Sequence, residues 1–298
     1  MAGERAAAGL RGAGRTSRGL VGLYLTLLTI GCATAPLEPG GSLVSYDSFA
    51  PSDGMLTKSR LKIRKEALLT AKTVRILPTI LTGAAAQTNL TETERRLVSN
   101  AIDRALCLGL SDRFNVLPPA EPADLTIRAM ITHIGLTDKV AAGGSRVASV
   151  ATSVVTKLLV PFPLPVPTPR IPYGLGALSV EAEALDSVGV QQAAMLWARG
   201  ADAFTTKPKV SAASDAYDLA TAFGNDFSRL LVTGADPIKA LPLPPSLQRI
   251  GFSIGSAPKY PACEAFGRSP GVAGVVGEAV GLPPDWTDKG AASSPPAN

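Results

Sequence analysis

Gly251-Phe252-Ser253-Ile254-Gly255 spells G-x-S-x-G, the pattern in which a sharp strand-to-helix turn lifts a serine hydroxyl for nucleophilic attack. Such a serine needs a strand before it, a helix after it, and an acid and then a histidine further along the chain. Here the pentad follows a Pro-rich stretch, and the only histidine, His133, lies far upstream. The context opposes a hydrolase, and Ser253 remains only as the alternative to a chain without catalysis. His133 is expected on the same face as Leu125 to Ile131, as a sheet-edge side chain rather than a ligand. With one histidine and two cysteines beside Cys32, a dedicated zinc site lacks ligands. Gly271-Val-Ala-Gly-Val-Val-Gly277 has neither the lysine nor the strand–helix context of a phosphate cradle. Glu181 and Glu183 fall two apart on one strand face, a spacing that suits a carboxylate pair, but solvent-facing acids on a half-exposed sheet account for them better. No cofactor, metal or small-molecule substrate is implied.

Cys32 carries different chemistry. Arg5, Arg11, Arg15 and Arg18 precede the apolar run Leu20 to Ile30, which closes on Gly31-Cys32. A positive segment, a short apolar core and a small residue make a secretory signal, too short to span a bilayer comfortably. Leu28-Thr-Ile-Gly31-Cys32 resembles the bacterial lipobox, with Thr29 where that motif most often has Leu. The resemblance implies cleavage before Cys32 and acylation of its thiol and amine. Each buried methylene contributes roughly 0.8 kcal/mol, and two or three chains together make a durable anchor. The alternative is an ordinary signal peptide cut after Ala33 or Ala35.

Charge follows from the same division. Of 29 basic and 24 acidic residues, four arginines and Glu4 lie in 1–31, which leaves 25 against 23, a formal +2. The basic balance of the whole chain therefore belongs mostly to the leader and gives no reason to expect nucleic acid. Cys107 and Cys263 would meet an oxidising envelope, which favours disulfide formation. On a helical wheel Cys107 falls opposite Leu97, Val98, Ala101, Ile102, Ala105 and Leu108, beside Arg96, Asn100 and Asp103. Two readings stand: an exposed thiol paired with Cys263, or a small core residue in a run buried all round.

Elements that position these residues alternate between strand and helix. Residues 32–72 are expected to be a Pro/Gly/Ser-rich tether plus an N-terminal segment in which Lys58 to Lys72 mixes basic and apolar residues without a clear period. Thr73 to Pro78 reads as a strand. Thr91 with Glu94 predicts a capping box on a helix ending near Gly109. Phe114 to Leu117 reads as a short strand and Asp124 to Leu136 as a long alternating one. Ala177 to Leu185, the turn Asp186 to Gly189, and Val190 to Arg199 predict a hairpin. Ser214 is expected to cap a helix with the apolar stripe Ala216, Leu219, Ala220, Phe223, Phe227, Leu230 and Leu231. This order predicts an α+β fold over residues 73–236: a mostly antiparallel sheet with two main helices on one face. Its apolar and Pro-rich insertion, 143–172, offers a partner or lipid surface, centred on 145–169, or packs on its own sheet. Residues 237–298 are expected to form an extended or partly disordered Pro/Gly-rich tail.

Three stretches resemble a family of proteobacterial lipoproteins known only as a domain of unknown function: Gly41 to Phe49, Ala123-Asp124-Leu-Thr-Ile127, and Ser179 to Gly189. The resemblance covers roughly residues 38–235 and brings no activity and no catalytic residues. It implies an envelope location, and Ala33 rather than Asp after the cysteine resembles the sorting rule for the outer membrane, periplasmic face. The resulting expectation is a non-enzymatic, membrane-tethered periplasmic lipoprotein that binds a protein partner or envelope polymer.

Overall fold

The structure is a computed structural model that describes residues 33–145, 170, 173–240 and 246–288, and of Ser253 the backbone only. Its frame is one open eight-stranded sheet. Across the sheet lie β1 (Ala50–Pro51), β2 (Thr57–Ile63), β8 (Gln191–Gly200), β7 (Ala177–Asp186), β6 (Leu125–Gly135), β3 (Thr73–Ile76) and β5 (Asn115–Leu117), with β4 (Ile80–Leu81) also on β6. Pairings from β1 to β6 are antiparallel, whereas β3 and β4 run parallel to β6, and β5 runs parallel to β3. The fold is α+β with a mostly antiparallel sheet, as the element order predicts.

Alternation decides the faces. Ile127, Ala129 and Ile131 of β6, Val180, Ala182 and Ala184 of β7, and Ala193, Met195 and Trp197 of β8 all join one core cluster. Over them lie α3 (Glu92–Leu110) and α4 (Ser214–Thr233). Thr91 and Glu94 close the expected capping box of α3, which runs one residue past Gly109. Helix α4 begins at Ser214 with Ala213 at its N-cap, and Ser214 Oγ donates to the Lys209 carbonyl instead of capping. The two helices meet closely at Gly224, where a Cβ would collide with that of Ala105. Trp197 packs edge-on against Phe223 at 5.7 Å and donates its indole N–H to Asp226 at 2.9 Å, which satisfies a polar atom inside the core.

Lys58 to Lys72 resolves into β2 and the short helix α1 (Lys65–Thr70), with the next short helix, α2 (Gly83–Ala86), following β4. Residues 139–145 are helical; the apolar and Pro-rich part of the 143–172 insertion lies outside the described residues except for Arg170.

The expectation of an extended C-terminal tail does not hold where that segment is described. Residues 246–288 form α5 (Leu247–Ser253), a 3-10 turn (Pro261–Phe266), α6 (Gly271–Val280) and α7 (Pro284–Thr287). The reason lies in α3, whose polar side cannot be buried without partners and finds them here. Asn100 Nδ2 donates to the Phe266 carbonyl at 2.7 Å, and Arg104 pairs with Asp288 and receives support from the Tyr217 hydroxyl. Burial drives the Tyr217 phenol far above its ordinary value. On the sheet side Asp103 accepts the Thr79 amide at 3.0 Å and its hydroxyl at 2.5 Å; burial nevertheless pushes this carboxyl up to about 7.

Candidate functional site

Sequence-predicted residues fall in separate places. Cys32 lies outside the described residues. Cys107 and Cys263 are joined in a disulfide, and both are buried. The helical-wheel reading of Cys107 as exposed is corrected by the C-terminal segment that covers this side of α3. Ser253 is the last residue of α5, so it ends a short helix where a nucleophile elbow requires a strand followed by a helix. His133 sits beyond a register shift between Ile131 and His133 that places it opposite Ser179. That irregularity moves it off the face of Ile127 to Ile131 and onto the opposite one, contrary to the alternation. Partial burial lowers its imidazole below the ordinary value. Among the described residues no group of three His, Cys, Asp or Glu could hold a metal ion, and no helix is long and apolar enough to cross a membrane.

Glu181 and Glu183 differ most from expectation. They are 1% and 0% exposed, so neither is a solvent-facing acid. Their face of the sheet is covered by residues 33–49, which were expected to be a tether and instead form a strap along β7. Gly40 N donates to Glu181 Oε1; Ser42, through its amide and hydroxyl, and Tyr46 OH, at 2.7 Å, donate to Oε2. Glu183 accepts the Val44 amide at 3.0 Å and Gln191 Nε2 at 2.8 Å on one oxygen, and the Arg128 guanidinium on the other. Each carboxylate thus satisfies backbone amides that a Pro/Gly-rich segment leaves without a ladder partner. Leu43 of the strap packs on Ala194 and Leu196, with Leu37, Tyr46 and Phe49 around them. Burial raises the Tyr46 phenol, and its bond to Glu181 adds to the shift.

Both ends of the strap are placed. Ala33 N donates to the Ala201 carbonyl at 3.0 Å, and the Ala33 carbonyl presses on Gly200, where any Cβ would collide with it. Ser179 Oγ then holds the Pro36 carbonyl at 2.6 Å, and at the far end Gln191 Nε2 holds the Ser45 carbonyl at 3.0 Å. The strap therefore runs from the end of β8 to its beginning, a distance of about 30 Å for a strand of this length. At that far end Ser48 has φ 63°, the one non-glycine in the left-handed region among the described residues, and there the strap leaves the sheet. It opens a cleft of about 930 Å³ walled by Ser45, Asp47 and Ser48, by Lys62 and Arg64, by Val190 and Gln191, and by Asp236 and Lys239.

The three stretches singled out in the sequence all act on backbone. Asp124 accepts the amides of Lys72 at 2.8 Å and Thr73 at 2.9 Å, which align β3 with β6 and hold its carboxyl below the usual range. Asp186 accepts Val190 N at 2.9 Å and Val188 N at 3.0 Å across the hairpin turn. Gly41 to Phe49 meets Ser179 to Gly189 along the strap. The model of the family described as a protein of unknown function, DUF3313, matches residues 38–227, the span that holds all three. The chain belongs to the DUF3313 family. No curated protein matches it in sequence. Among solved structures it is similar to the PelC dodecamer from Paraburkholderia phytofirmans, at 10% identity over 60% of this chain and 99% of that one, with a TM-score of 0.33. It is similar also to a DUF4136 family protein from Bacteroides thetaiotaomicron, at 11% identity over 61% of this chain and 100% of that one, with a TM-score of 0.31. Likenesses of this size carry no statement about function.

Proposed function

We propose that this DUF3313 protein is a periplasmic lipoprotein, anchored through Cys32 to the periplasmic face of the outer membrane, that works without catalysis by binding a protein partner or envelope polymer during envelope assembly or transport. The observation that carries the reading is the seating of Ala33 at the end of β8. The residue next to Cys32 is built into the body, so an acylated cysteine would bring this end of the sheet directly to the bilayer. Exposed apolar side chains gather on the connections at the same end: Leu136 and Val140 after β6, Tyr173 before β7, and Phe204 after β8. Such a rim suits contact with the headgroup and acyl boundary. The cleft opens at the other end, about 30 Å away, where a partner could reach it.

Cells fed a clickable fatty acid test the anchor, with wild type compared with Cys32→Ala and inner membrane separated from outer. Label on the wild type in the outer membrane, lost in the variant, is the expected result. An unlabelled and freely soluble wild type would overturn it.

A further inference from the structure

Strand β2 carries a row of cations that nothing in the fold uses. Thr57, Ser59 and Leu61 point inward, while Lys58 and Arg60 are exposed and Lys62 is half-buried; Arg64 follows in phase and is exposed. In register Lys58, Arg60 and Lys62 lie opposite Ala198, Leu196 and Ala194, on the face that carries the strap. None of the four makes an ion pair or a side-chain hydrogen bond among the described residues. Alternate residues of a strand stand about 7 Å apart, so the row extends over roughly 20 Å.

Edge strands often carry lysine to discourage pairing with other chains. This edge is already occupied: Ala50 and Pro51 pair with Leu61 and Arg60, Ser52 N donates to the Ser59 carbonyl, and Gly54 N donates to the Thr57 carbonyl. Protection therefore does not account for four unpaired charges, which repel one another at this spacing. The row also runs into the cleft, where Lys62 and Arg64 form one wall and Lys239 another. Acids of the cleft are engaged locally. Asp236 accepts Ser52 Oγ at 2.6 Å and the Ile238 amide at 2.9 Å, and Asp47 accepts Ser45 Oγ at 3.1 Å.

We infer that β2 and the cleft bind a linear polyanion, a chain of regularly spaced carboxylates or phosphates, which lies along Lys58, Arg60, Lys62 and Arg64 with one segment in the cleft. This rests on the partner-binding half of the function proposed above and not on lipidation of Cys32. The row follows the strand direction from the Ala33 end to the cleft, so it leads away from any bilayer at that end. A chain that extends into the periplasm fits this direction better than a flat lipid surface does.

Full-length protein in mild detergent, immobilised and exposed to polygalacturonate and to polyphosphate, tests the proposal, with neutral dextran as control. Wild type should bind both polyanions with an affinity that falls as salt is added and rises with chain length up to the length of the row. Each exposed ion pair is worth roughly a factor of two to three, so Lys58→Gln/Arg60→Gln/Lys62→Gln/Arg64→Gln should weaken binding on the order of thirtyfold. Lys58, Arg60 and Arg64 are exposed and Lys62 is half-buried, and an unchanged thermal transition will show that the variant folds. A control that neutralises the exposed Lys65, Lys72 and Lys139 should lose far less. Absence of polyanion binding by wild type, equal loss in the control, or binding only to vesicles of anionic phospholipid would each overturn the inference. Fatty-acid labelling of Cys32 is indifferent to all of these outcomes, so the two readings fail separately.

Discussion

Replacement of Glu181 by Gln should free the strap while the sheet stays folded. In the native protein Glu181 accepts from Gly40 N, Ser42 N, Ser42 Oγ and Tyr46 OH. An amide has one accepting oxygen, and turned toward Ser42 and Tyr46 it leaves Gly40 N facing an NH₂ group. One bond is lost and three change from charge-assisted to neutral. A bond to a charged group contributes about 1.5–3 kcal/mol and a neutral one about 0.5–1.5. The gross loss is therefore about 6 kcal/mol. Relief of a buried carboxylate and access of water to the half-buried donors offset part of it, which leaves about 3 kcal/mol. Since 1.4 kcal/mol is a factor of ten, opening of the strap should become on the order of 100-fold more frequent. Hydrogen exchange at Gly40, Ser42 and Val44 reads this directly, with the amides of α3 as internal reference. The Tyr46 phenol should titrate lower in the variant, because Glu181 contributes to its raised value. Strap amides that exchange at the wild-type rate in Glu181→Gln would refute the assignment of this carboxylate as the clamp.

The Cys107–Cys263 bond closes a loop with a sequence separation of 156, for which chain entropy gives about 5 kcal/mol. Cys107→Ala/Cys263→Ala should accordingly show a much lower urea midpoint, and an unchanged midpoint would refute that contribution. Asp103 gives a pH dependence of defined sign. Its folded value, about 7, lies above the ordinary 3.8, so the folded state holds its proton longer and stability falls as pH rises from about 4 to about 7, then levels. Asp103→Asn has no such proton to lose, so its stability relative to wild type should improve between pH 5 and pH 8 in urea unfolding; a constant difference would refute the shift.

What was legible in the sequence was what near neighbours decide. The capping box of α3, the apolar stripe of α4 and the alternation of β6, β7 and β8 each depend on residues within a few positions of one another, and each is found in place. Alternation also says which side chains share a face, but it does not say whether the outer face is covered. Glu181 and Glu183 occupy the outer positions of β7, as the pattern requires, and their burial comes from donors some 140 residues earlier in the chain. The polar side of α3 is buried in the same way, by residues more than 150 positions later. A composition rich in Pro and Gly hid both covering segments, since it resembles a flexible linker whether or not its amides find fixed acceptors. One local signal was available. Ala177 and Ser179 on β7, and Ala194 and Ala198 on β8, are all small and all on the outer face beside the two acids. A solvated sheet face has no need of small side chains, whereas a backbone laid flat across it does. Small residues set between carboxylates thus mark a place where main chain approaches and its amides require acceptors, which is how the strap is held.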